Sequence, residues 1–177
     1  MQSYKLSAQS NREECKEFIR MKIKLLVIGK TEEEYLRKGI AAYTERIRHY
    51  LPFEITEIPA LKNLQGISRN EWKSRECEKL MKMIAPGDCI VLLDERGKEL
   101  SSVEFSGFLN QKMSSGIKTL TFIVGGPFGF DEALKSKASH LVSLSRMTFS
   151  HQMVRLFFTE QIYRAMTILK NEAYHHE

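Results

Sequence analysis

A chain of 177 residues, 42% apolar and 28% charged, is long enough for one domain with a proper core and too ordinary in composition to be fibrous or disordered. Its net charge of +5 leans towards a polyanionic partner, although many small enzymes are as basic without one. Cys15, Cys77 and Cys89 are odd in number and form no CxxC pair, so neither a disulfide framework nor a zinc site is indicated and a reducing, cytoplasmic setting is expected. No apolar run approaches the ~18 residues of a membrane span, and the N-terminus lacks the apolar core of a secretory signal.

Residues 1–20 are polar and mixed in charge. They read as an extension outside the core, with Met21 as the ordinary start and residues 21–177 as a single domain; a docked surface helix is the competing reading. Lys22 to Gly29 is the first strand. Thr31, followed by Glu32, Glu33 and Glu34, reads as the N-cap of a helix whose apolar positions run from Tyr35 to Tyr50. Its other face holds Arg37, Lys38, Arg46 and Arg48, a solvated face or an accessory phosphate-binding surface. Phe53 to Ile58 alternates as a second strand ended by Pro59. A charged helix from about Arg69 to Ile84 follows, with Trp72 as its expected core anchor.

Cys89 to Leu93 is a continuous apolar run, as in a strand buried on both faces. Asp94 to Leu100 reads as a loop, and Ser101 or Ser102 caps a helix ending near Gly116. Thr119 to Val124 is the fourth strand, broken by Gly125-Gly126-Pro127. Asp131-Glu132 opens a short helix, His140 to Leu144 is the fifth strand, and a last helix runs from about Ser150 to Asn171. Strands alternating with helices predict an α/β fold: a mostly parallel sheet with helices on both faces.

Two stretches are the candidates for chemistry, with a purely structural turn as the competing reading of the first. Phe122 to Gly129 is a strand breaking into a glycine turn, where backbone can approach a ligand because no Cβ stands in the way. Its spacing is not GxGxxG and it follows a late strand, so a dinucleotide fingerprint does not fit. Leu144 to Arg155 is a strand end rich in hydroxyls that runs into the last helix. Its Ser and Thr either satisfy local backbone or frame a ligand loop for an aromatic heterocycle. His151 and Arg155 share a helix face at i, i+4, and Glu160 and Arg164 form a second such pair. A lone histidine is more often structural or merely exposed, but one directly after a strand and turn is equally a candidate for catalysis. The last helix is apolar over too much of its circumference for one solvated side, so it is centrally buried or part of a subunit interface. Tyr174-His175-His176-Glu177 has no metal-ligand spacing and reads as a tail; no metal is expected.

Taken together, MKIKLLVIGK at 21–30, the Leu93–Gly97 segment, FIVGGPFG at 122–129, Leu144–Arg155, EQIYRA at 160–165 and the terminal YHHE resemble the RlmH family. These are the small SPOUT-class methyltransferases acting on pseudouridine of bacterial large-subunit (23S) ribosomal RNA. The resemblance covers Met21 to the C-terminus. It implies a C-terminal trefoil knot, which composition would never suggest, and a homodimer. It also implies S-adenosylmethionine bound by Leu93, Gly125 and Leu144, Ser145, Arg146, Met147, Thr148 and Phe149. The substrate would be the N3 of a pseudouridine, presented on the assembled ribosome. Because that nitrogen carries a proton, a base is needed: His151 first, Glu160 second. Arg155 and Arg164 would stabilise the uracil anion or grip phosphate, and Tyr174 and His175 would contact the base. The competing readings are a non-catalytic, knotted assembly factor that binds RNA or ribosomes and, more distantly, a nucleotide-dependent oxidoreductase. The latter suffers from the single glycine after the first strand, at Ile28-Gly29-Lys30.

Overall fold

A computed structural model describes residues 21–62 and 65–175; the expected extension over residues 1–20 and the last two residues of the tail motif lie outside them. The strands are β1 (Lys22–Ile28), β2 (Phe53–Ile58), β3 (Cys89–Glu99), β4 (Thr119–Val124) and β5 (His140–Ser143). The helices are α1 (Glu34–Ile47), α2 (Arg69–Met81), α3 (Ser102–Ser114), α4 (Glu132–Lys137) and α5 (Met153–Leu169). The sheet order is β2-β1-β4-β3-β5 and every pairing is parallel.

Parallel pairing requires each connection to return over a face of the sheet, which buries both faces. One face packs Ile23, Leu25, Val91, Leu120 and Phe122 against α1, α3 and α5 through Ile47, Phe105, Phe158 and Ile162. Phe122 and Phe158 meet with ring centroids 4.7 Å apart. The opposite face packs Leu26, Ile28, Leu92 and Ile123 against Cys77 and Leu80 of α2 and Leu134 of α4. The helix α5 contacts both α1 and α3 and buries Phe158, Ile162, Ala165 and Met166. Its excess of apolar residues is thus met largely by central burial, while Phe157 stays 42% exposed beside Phe149.

Four expectations are corrected. Thr31 does not cap α1: the N-cap is Glu33, with no side-chain bond. Thr31 is buried instead, its N–H donating to Glu57 at 2.7 Å and its hydroxyl accepting from Arg155 at 2.9 Å. Just before the helix, the side-chain oxygen of Gln152 accepts from the Glu32 N–H at 2.9 Å. Trp72 is not a core anchor, because Glu76, Cys77 and Leu80 take the buried face of α2. Asp94–Glu99 is not a plain loop: Leu93 and Lys98 both pair with Val142, so β3 continues with residues 94–97 bulged outwards. Finally, α5 starts at Met153 rather than near Ser150, leaving residues 144–152 as an irregular loop. Elsewhere local signals hold, as in the capping box of Ser101 with Glu104.

Candidate active site

In a parallel sheet all carboxyl ends lie at one edge, and ligands gather there. Here β4, β3 and β5 are adjacent, so the segments following their paired portions converge. Between them is a cleft of about 930 Å³, lined by Leu93–Arg96, Val124–Phe130, Ser143–Ser145 and Met147–His151, with Arg69, Asn70, Lys73 and Lys135 from the helices α2 and α4. That volume suits a small-molecule cofactor. A smaller, adjoining hollow of about 160 Å³ is lined by Leu100, Phe105, Val142, Ser143, Leu144, Phe149, Phe157 and Gln161. Its largely apolar lining can accept an aromatic heterocycle.

Close backbone packing shapes this edge. Gly97 lies so near β5 that a Cβ would stand 2.6 Å from the Val142 backbone. At Gly126 a Cβ would stand 2.3 Å and 2.6 Å from the two carboxylate oxygens of Glu76. Glu76 is 4% exposed and accepts a 2.8 Å hydrogen bond from the Trp72 indole. Burial pushes its carboxyl above the ordinary range; the indole bond and the charges of His151 and Lys79 pull the other way. Trp72 meets Phe128 edge-on at 5.0 Å, so the glycine loop rests on α2 through an aromatic pair.

Of the residues expected to hold a cofactor, Leu93, Gly125, Leu144, Ser145, Met147, Thr148 and Phe149 all line the cleft. Arg146 does not: its side chain is 88% exposed and pairs with Glu99 at 3.1 Å. Local bonds fix the loop, as Ser143 donates to the Ser145 carbonyl at 2.9 Å and Ser145 accepts from the Met147 N–H at 2.9 Å.

The expected catalytic residues divide into three places. His151 lines the cleft and is exposed. Arg155 is 1% exposed and donates to the carbonyls of Ile28 (2.7 Å), Gly29 (3.1 Å) and His151 (2.8 Å). Burial lowers its pKa, countered by Glu57 and Glu32. With its donors committed to backbone and Thr31, it is poorly available to phosphate or a uracil anion. Glu160, Arg164 and Tyr174 form a third group. Glu160 accepts from Arg164 (2.5 Å), Gln161 (2.7 Å) and Tyr174 (3.1 Å), and the Arg164 guanidinium lies 4.8 Å from the Tyr174 ring centroid. Burial, the Tyr43 hydroxyl and Glu160 raise the Tyr174 pKa. His175 follows, its Nδ1 buried and without a hydrogen-bond partner among the described residues. None of Glu160, Arg164, Tyr174 and His175 lines the cleft of its own chain.

The α2 wall of the cleft escaped the sequence reading. Arg69, Trp72, Lys73 and Glu76 recur at i, i+3, i+4 and i+7, a single helix stripe. That spacing was legible, but nothing in it says the stripe faces the Gly125–Gly129 loop. Among the described residues no group of three or more His, Cys, Asp or Glu side chains could hold a metal ion, and no helix is long and apolar enough to cross a membrane.

Residues 21–175 match the family described as predicted SPOUT methyltransferase. The chain is 55% identical over 157 residues to the ribosomal RNA large subunit methyltransferase H of Parabacteroides distasonis, an alignment covering 89% of this chain and all of that one. It is 51% identical over 156 residues to the protein of the same name from Christiangramia forsetii, with 88% and 99% covered. A solved structure, a probable methyltransferase from Bordetella pertussis Tohama I, superposes with a TM-score of 0.50 at 11% identity, covering 88% of this chain and 99% of that one. At that identity the likeness concerns the fold alone.

Proposed function

The chain belongs to the SPOUT methyltransferase family, and from that premise we propose that it methylates the N3 of a pseudouridine in large-subunit ribosomal RNA, using S-adenosylmethionine, on the assembled ribosome. The observation carrying this reading is the cleft, in which seven of the eight expected cofactor positions converge from three strand ends distant in sequence.

The residues present fit the cofactor. Gly125 and Gly126 line the cleft, and the space a Cβ would need is filled by Phe130 at the first and by Glu76 at the second. The hollow beside Leu144 and Phe149 offers an apolar slot for its heterocycle. When bound, S-adenosylmethionine supplies an already activated sulfonium methyl group. The chain's own task is to hold the reacting nitrogen in line at near-attack distance and to accept its proton. His151 is the side chain for that proton, because it alone among the expected bases lines the cleft. Glu160 is a weaker choice, its carboxylate already accepting three hydrogen bonds. Arg155 is assigned as a positioning residue that ties the His151 turn to the end of β1.

The trefoil threading, the homodimer, the single domain over 21–177 and a cytoplasmic site of action belong to the same proposal. A second copy is a direct way to bring the Glu160–Arg164–Tyr174 group to a cleft it does not line in its own chain.

The test is transfer of a labelled methyl group from S-adenosylmethionine to ribosomes lacking the modification, read by mass spectrometry of digested large-subunit RNA. Label on a pseudouridine base is the expected result. Cofactor binding without transfer to any ribosomal particle would overturn the substrate, and absence of cofactor binding would favour a non-catalytic assembly factor.

A further inference from the structure

Resting on that reading of the substrate, we propose that the lip formed by α2 and the tip of the Gly125–Gly129 loop is the surface that grips the substrate RNA. Arg69 and Lys73 would contact its phosphates, and Phe128 would stack on one of its bases.

Arg69 and Lys73 are one helical turn apart and both line the cleft. Neither takes part in an ion pair among the described residues, unlike Arg75, which pairs with Glu71 at 2.6 Å, and Lys135, which pairs with Glu132 at 2.8 Å. Two adjacent cations without a carboxylate partner are available to an anion and suit backbone phosphates. Phe128 stands beside them, 38% exposed at the tip of its loop. The Trp72 ring packs edge-on against it at 5.0 Å, and the Arg69 guanidinium lies 5.5 Å from its ring centroid. The ring is therefore held in place rather than loose, and cations interleaved with an oriented aromatic suit single-stranded RNA with unstacked bases.

Charge gives the lip a direction. Asp94 and Glu95 line the cleft from the β3 side and outnumber Arg96 beside them, whereas α2 presents Arg69 and Lys73. Phosphates are disfavoured there and favoured over α2, so the RNA backbone would cross the α2 lip with the target base entering between the walls. The basic face of α1 is less suited to this role. Arg37 donates to the Thr31 and Glu32 carbonyls, Lys38 pairs with Glu34, and Arg46 lies over the Tyr43 and Tyr163 rings; of the four only Arg48 has no such contact among the described residues, and none lines the cleft.

The experiment uses the full chain, S-adenosylmethionine and ribosomes lacking the modification, comparing wild type with Arg69→Ala/Lys73→Ala, Arg69→Lys and Phe128→Ala. The double variant should raise KM for ribosomes by about tenfold or more with kcat little changed. It should also flatten the dependence of log KM on log salt by about 1.5, as expected for two lost phosphate contacts. Phe128→Ala should raise KM on the order of tenfold without changing the salt slope. Arg69→Lys, which keeps the charge, should keep the wild-type salt slope, and calorimetry should give unchanged cofactor affinity for the double variant. Unchanged KM and salt slope in the double variant would overturn the proposal, as would an equal loss of cofactor affinity, which would assign the lip to the cofactor. Should the wild-type chain transfer no methyl group, the functional reading fails separately. Co-sedimentation with large subunits still decides the lip: salt-sensitive binding lost in the double variant supports it, and equal binding overturns it.

Discussion

The Arg155 guanidinium reaches back to the carboxyl end of β1, where its Nη2 donates to the Ile28 carbonyl at 2.7 Å. With further bonds to Gly29, Thr31 and the His151 carbonyl, this one side chain fastens the start of α5 to the sheet. Arg155→Ala would leave buried carbonyls without donors and should cost about 3 kcal/mol of stability in denaturant unfolding. Arg155→Lys should recover only part of it, because an ammonium cannot reproduce the planar fork of donors.

His151 sits at the other end of that brace, in the cleft. His151→Ala should reduce methyl transfer by about 10² to 10⁴ while leaving cofactor affinity and melting temperature near wild type. Near-normal turnover would remove it as the proton acceptor.

Gly126 and Glu76 compete for one volume. In Gly126→Ala the new methyl meets a carboxylate that is itself held by Trp72, so the loop must shift. A loss of about 1–3 kcal/mol and weaker cofactor binding are expected. Glu76→Ala empties that volume, so the double variant should be less destabilised than the two single losses added, a coupling measurable in a double-mutant cycle.

Glu76 also predicts a pH dependence. Burial raises its folded pKa above the ordinary 4.5, so between those two values the folded chain binds more protons than the unfolded one. Its contribution is fully present below about 4.5 and is lost as pH rises through the folded pKa. Urea titrations across pH should therefore show Glu76→Gln gaining on wild type as pH increases through that window. A constant difference between the two would contradict it.

Gly97 is the most sensitive position at the β3–β5 contact. A Cβ there overlaps backbone atoms of Leu141 and Val142, which cannot rotate aside as a side chain can. Gly97→Ala should separate β5 from the second half of β3, costing at least about 3 kcal/mol. It should also weaken cofactor binding, because the Leu144–Phe149 segment hangs from β5.

Strand identity was legible in the sequence because a buried parallel strand must be a short apolar run, as Cys89–Leu93 and Thr119–Val124 show. The caps at Ser101 and Asp131 are local too, the hydroxyl and the carboxylate accepting from an amide three and two residues on. Residue types at 125 and 144–149, with the ordered motifs around them, were enough to name the family that the family model and the relatives show. What no local rule contains is which distant residue fills a space or accepts a bond. Thr31 read as a cap and became a partner of Arg155, 124 residues away. Trp72 read as core and became the support of Phe128. Arg155, expected at a uracil anion or a phosphate, has its donors on the Ile28, Gly29 and His151 carbonyls. Each of these choices depends on which backbone groups and cavities the sheet order β2-β1-β4-β3-β5 brings alongside, and that order is set by the packing of both faces at once.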